Sequence, residues 1–122
     1  VRVRTSMYSL PLVRRMVLHF ADLAGWEGDR YLVTLSRRTF DRAAKRHGAA
    51  EIDYAHDLGA TLINRDGSPD RFPVTWIDPA VQSFHALSRT CAHEALHAAR
   101  PKMRHGREYE KAVTRMLRGQ DP

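Results

Sequence analysis

Between Ser83 and Arg100 the chain places Phe84, Ala86, Leu87, Cys91, Ala92, Ala95, Leu96, Ala98 and Ala99 at spacings that put small or apolar groups on nearly every side of a helix. Such a helix is stable only when its neighbours cover it. The rest of the chain must therefore form a shell around it. Pro101 ends the segment, because the residue before a proline avoids the α region. With 122 residues, 43% of them hydrophobic and 28% charged, the sequence suits one domain spanning 1–122 with a single packed core, and it argues against global disorder.

The shell can be read from periodicity. Val13, Met16, Val17, Phe20 and Ala24 recur at helical steps, predicting a helix from about Leu10 to Ala24, started by Ser9 and Pro11 and stopped by Gly25. Tyr31 to Leu35 is a short β-rich run. Ser36 then caps a helix through His47, ended by Gly48, with Phe40, Ala43, Ala44 and His47 on one face and Arg38, Arg42, Lys45 and Arg46 on the other. Ala60 to Asn64 and Phe72 to Ile77 read as strands joined by the turn-forming Asp66 to Asp70, and Asp78-Pro79 marks a stop. A last helix runs from Gly106 to Leu117, with Tyr109, Val113, Met116 and Leu117 inward. The order helix, strand, helix, two strands, two helices predicts an α+β domain, its sheet small, about three-stranded and antiparallel, packed against the buried helix.

Cys91 is the only cysteine, which excludes an internal disulfide and any multi-cysteine zinc knuckle within this chain. A metal site here must be built from histidine and carboxylate. No run of about 18 apolar residues occurs, so no membrane-spanning helix is expected. Arg14 and Arg15 interrupt the stretch where a signal peptide needs an apolar core, and the twin arginines Arg37-Arg38 are internal, so a cytoplasmic protein is the expectation. The chain begins with Val, which reads as a trimmed end or an unusual start codon. Twenty Lys and Arg, seventeen of them Arg, stand against 14 Asp and Glu, giving a net charge of +6. That balance points towards polyanions, DNA among them, through Coulomb attraction and counterion release.

Inside the buried helix lies His93-Glu94-Ala95-Leu96-His97, an H-E-x-x-H pattern. Residues four apart on a helix differ by about 40° in direction and about 6 Å in height, so both imidazoles can reach one tetrahedral Zn²⁺. Glu94 points to the side, where it can take a proton from a water activated by the metal and pass it to a leaving amine. Burying two histidines and a glutamate among Ala and Leu is costly unless they bind something. A catalytic zinc has three protein ligands and a water. The candidates for the third ligand are His105, Glu108 and Glu110.

His105-Gly106-Arg107-Glu108-Tyr109 resembles the His-Gly-Pro-Glu-Phe stretch of SprT-like zinc metallopeptidases, which follows an H-E-x-x-H helix and supplies the third ligand. The specific match covers Ala92 to Leu117, and looser topology covers the rest. The resemblance implies a zincin-like fold, one zinc per chain held by His93, His97 and His105, and Glu94 as general base. It implies a supporting role for Glu108, which matches the family's Glu and would hydrogen-bond a ligand histidine. Arg107 and Tyr109 stand where the family has Pro and Phe, and this chain carries no Cys-rich zinc ribbon.

The remaining features divide between function and packing. Tyr109 could donate to an oxyanion, although its place on the apolar stripe favours the core. Cys91 reads as a core filler and His85 as a rim residue. The strand Phe72 to Ile77 is a candidate to offer its edge to an extended peptide. Arg100, Lys102, Arg104, Arg107, Lys111, Arg115 and Arg118 crowd the segment after the motif, either as a solvated face or as a phosphate-contacting surface. Three functions follow as expectations. The first is a zinc-dependent endopeptidase acting on protein or peptide. The second is a non-enzymatic nucleic-acid-binding module with a structural metal or none. The third is a zinc amidase acting on a non-protein substrate. The oligomeric state is not encoded in any of these patterns.

Overall fold

The structure, a computed structural model, describes residues 8–46, 57–63, 72–78, 80 and 82–122. Its elements run α1 (Leu10–Leu23), β1 (Leu32–Thr34), α2 (Arg37–Arg46), β2 (Gly59–Leu62), β3 (Val74–Ile77), α3 (Phe84–Ala99) and α4 (Arg107–Leu117). The expected α+β order is present. His47, Gly48, Asn64, Asp66 to Asp70 and Pro79, to which the sequence assigned helix-end, strand and turn roles, lie outside the described residues.

Local chemistry accounts for the helix ends. The Ser9 hydroxyl accepts from the Leu12 amide and the Ser83 hydroxyl from the Ala86 amide, each satisfying an amide that has no partner within its helix. After α1, Gly25 takes φ +93°, a left-handed conformation that suits glycine.

The sheet corrects the sequence reading. Its order is β1-β3-β2, with β2 antiparallel to β3 but β1 parallel to it, so the sheet is mixed rather than antiparallel. The reason is topological. The chain between β1 and β3 contains α2 and β2 and is long enough to return in the same direction, as a parallel pair requires. The middle position belongs to β3, so neither of its edges is free. The edge that the strand from Phe72 to Ile77 was expected to offer is therefore not available, and among the described strands the edge positions belong to β1 and β2.

Alternation along β3 divides the molecule into layers. Val74 and Trp76 face α2 and pack with Phe40, Ala43, Ala44 and Leu62. Ile77 faces the other way, into the larger core that α1, α3 and α4 form with Val13, Val17, Leu87, Leu96, Val113 and Met116. With both faces covered, all four β3 residues are buried. In α3 the groups facing this core include Leu87, Cys91, Ala92, Ala95, Leu96 and Ala98, as a helix with so little polar surface requires. Cys91 is one of these core fillers, and burial pushes its thiol up to about 12.

Candidate metal centre

His93 and His97 sit one turn apart on α3, and the chain bends at Pro101 so that His105 returns to the same place. One ligating atom from each of the three lies within 4.8 Å of the others. The Nε2 atoms of His97 and His105 are 2.7 Å apart. Two imidazole nitrogens that close need a proton or a cation between them, because facing lone pairs repel. Burial, then the neighbouring His93 and His105, hold His97 down to about 4. Burial first, then His105, lower His93 as well. Both rings are therefore neutral near pH 7, the form in which imidazole binds a metal. In a tetrahedral site with Zn–N bonds of 2.0–2.1 Å, ligand nitrogens stand roughly 3.3 Å apart. The trio spans that scale, so the three histidines could hold a metal ion.

Beneath the trio lies Tyr109 of α4. Its ring centroid is 4.8 Å from that of His93, 4.9 Å from His97 and 5.1 Å from His105. The side chain is fully buried, and its hydroxyl donates to the His93 backbone carbonyl at 2.6 Å. With its proton committed to α3, Tyr109 is a packed floor under the histidines rather than a donor aimed into the cleft. Gly106 caps α4 at φ +145°, a conformation that favours glycine and lets the chain turn directly after His105.

The two glutamates of the last segment part company. Glu108, for which the resemblance implied a supporting role, is exposed, pairs with Lys111 at 3.7 Å and is not among the residues lining the cleft. Glu110 faces α3 instead. Its Oε2 accepts from Arg89 at 2.7 Å, and its Oε1 lies 4.0 Å from Nδ1 of His93. At that separation the contact is electrostatic rather than a hydrogen bond, and the Glu110 charge opposes the lowering of His93. Arg89 holds Glu110 beside the trio. Neither Arg89 nor this role for Glu110 was foreseen. The spacing of Arg89 one turn before His93 was the available signal.

Glu94 is 6% exposed and turned towards the sheet, where its Oε1 accepts from Thr61 of β2 at 2.8 Å. Burial pushes its carboxyl up to about 7, the Thr61 hydrogen bond opposes that shift and Asp57 adds to it. A carboxyl in that range is suited to exchange protons near neutral pH. His93, Glu94, His97 and His105 all line one cleft of about 670 Å³, together with Asp57, Leu58 and the β2 residues Gly59 to Thr61. Beyond His97 and His105 a second opening is lined by Ile63, Pro101, Lys102, Met103 and Arg104.

The seven basic residues of this segment do not form one surface. Arg107, Lys111, Arg115 and Arg118 follow one face of α4 and line a shallow groove with Glu110 and Thr114. Lys102 and Arg104 belong to the opening beside His105, and Arg100 is exposed and lines neither groove. His85 is exposed and outside the cleft lining. No helix among the described residues is long and apolar enough to cross a membrane. No protein-family model, curated protein or solved structure matches this chain.

Proposed function

We propose that this chain is a zinc-dependent endopeptidase with a minimal SprT-like, zincin-type core. The observation that carries the reading is the convergence of three histidines, two of them held neutral by burial, beside a buried glutamate at the wall of an open cleft. His93, His97 and His105 would hold the ion. When bound, zinc supplies Lewis-acid polarisation and lowers the pKa of a water molecule towards neutrality. Glu94 takes the proton of the attacking water and passes it to the leaving amide nitrogen as the C–N bond breaks. Among the described strands β2 is at a sheet edge and its residues Gly59 to Thr61 line the cleft, so an extended peptide pairing with it would be held by main-chain hydrogen bonds beside the trio. The resemblance of the His105 to Tyr109 segment to the SprT-like stretch supports the same assignment.

Glu94→Gln keeps the shape of the side chain and its acceptor for Thr61 but removes the base. This variant should retain zinc and lose hydrolysis of unfolded protein substrates; undiminished activity would remove Glu94 from that role. If zinc is bound but only non-protein amides are cleaved, the amidase reading replaces this one.

A second reading, a non-enzymatic module that binds DNA, rests on the row of Arg107, Lys111, Arg115 and Arg118 along α4. Steeply salt-dependent DNA binding that survives His93→Ala, with no protein cleaved, would favour it.

A further inference from the structure

Three residues that the hydrolytic scheme does not use are linked to Glu94. Thr61 on β2 donates to Glu94 Oε1 at 2.8 Å and also lies 3.3 Å from the Glu94 backbone carbonyl. The Thr61 oxygen is 2.8 Å from the hydroxyl of Thr75 on β3, which in turn is 2.7 Å from the hydroxyl of Tyr31. Thr75 is fully buried and Tyr31 nearly so. The row thus runs from the core, across the sheet, to the cleft.

Each hydroxyl has one proton to give. The Thr61 hydroxyl donates to Glu94 Oε1. With that one proton spent, Thr61 accepts from Thr75, and Thr75, its own proton then spent, accepts from Tyr31. Hydrogen bonds aligned in this way strengthen one another. A second observation points to the same side chain. A Cβ at Gly59 would lie 3.1 Å from Glu94 Cγ, 3.0 Å from Thr90 Cγ2 and 3.2 Å from Ile77 Cδ1. A side chain at Gly59 would force these neighbours to give by a few tenths of an ångström, so glycine suits the close approach of β2 to α3. Glu94 is thus bounded at its stem by Gly59 and at one oxygen by Thr61, leaving the other oxygen for the cleft.

We propose that Tyr31, Thr75 and Thr61 form a one-way hydroxyl chain that holds the Glu94 carboxylate in its working orientation, with Thr61 joining that orientation to the strand edge where substrate would lie. All three are positioning residues, since none lines the cleft except Thr61, and its proton is turned to Glu94. The inference rests on the reading of Glu94 as general base.

The test uses the full chain as Thr75→Val, Thr75→Ser and Tyr31→Phe, assayed for zinc content, for kcat and KM on a peptide substrate, and for hydroxyl proton signals by NMR in the metal-free protein. Thr75→Val should lower kcat about 10–100-fold, as a displaced catalytic group does, with KM and zinc content unchanged. Thr75→Ser should restore it. The slowly exchanging Thr61 hydroxyl proton should move upfield in Thr75→Val and Tyr31→Phe and return in Thr75→Ser. If Thr75→Val fails to fold, Tyr31→Phe makes the same test from the outer end of the row. An unchanged kcat, or a Thr61 signal that does not respond, overturns the proposal. Absence of any cleavage by the wild-type protein overturns the hydrolytic reading instead, and the Thr61 signal still decides whether the chain exists.

Discussion

Replacing Tyr109 by Phe removes one oxygen from the middle of the molecule and separates two roles for that residue. The hydroxyl is buried and donates to the His93 carbonyl at 2.6 Å, while the ring touches all three histidine rings. The phenylalanine ring keeps those contacts. The lost hydrogen bond costs about 1–1.5 kcal/mol, towards the upper end for a neutral pair because the His93 carbonyl is left one partner short. For a chain of this length that corresponds to a fall in Tm of about 3–6 °C. Zinc content and kcat should stay close to wild type, because the hydroxyl points at α3 and not at the reacting atoms. Tyr109→Ala is the contrasting variant. It empties the floor beneath the trio, should cost about 3–5 kcal/mol, and should lose zinc along with stability. Urea denaturation, metal analysis and peptide cleavage on the same preparations measure all three quantities. A Tyr109→Phe protein of unchanged stability with a collapsed kcat would refute the argument and put the hydroxyl on the oxyanion.

Two further outcomes follow from the electrostatics. Glu110→Gln should weaken zinc binding about 10–100-fold in competition with a chelator, because His93 loses the carboxylate charge beside it, whereas Glu108→Gln should leave affinity unchanged; the reverse ranking would reinstate Glu108. In metal-free protein, two groups bend the stability profile in opposite senses. His97 has its pKa lowered from 6.5 to about 4, so its contribution is complete above pH 6.5 and lost as pH falls through 4. Glu94 has its pKa raised from 4.5 to about 7, so its contribution is present below pH 4.5 and lost as pH rises through 7. Glu94→Gln should therefore gain stability relative to wild type progressively from pH 4.5 to above 7. Urea midpoints that run parallel for the two proteins across that range would show that the carboxyl is not buried.

What could be read from the sequence follows from which contacts are local. His93, Glu94 and His97 belong to one helix, whose period alone brings the histidines together, and the small residues around them mark that helix as covered. His105 required a turn of known direction after Pro101, which composition does not specify, and the resemblance supplied the expectation. Glu108 and Glu110 flank Tyr109 on opposite sides of α4. Choosing between them needs the side of α4 that meets α3, and the inward stripe of Tyr109, Val113 and Met116 is silent on that. Thr61 and Thr75 read only as strand residues, because their role depends on which strands are neighbours. Strand order is likewise what turned an expected antiparallel sheet into a mixed one and gave the edge positions to β1 and β2 rather than β3.

The account depends most on His93, His97 and His105 forming one metal site. Elemental analysis of the purified, zinc-saturated protein measures this directly. It should give about one zinc per chain, as a single tetrahedral three-histidine site requires, and His97→Ala should remove it. A folded protein that binds no zinc with all three histidines intact would contradict the account.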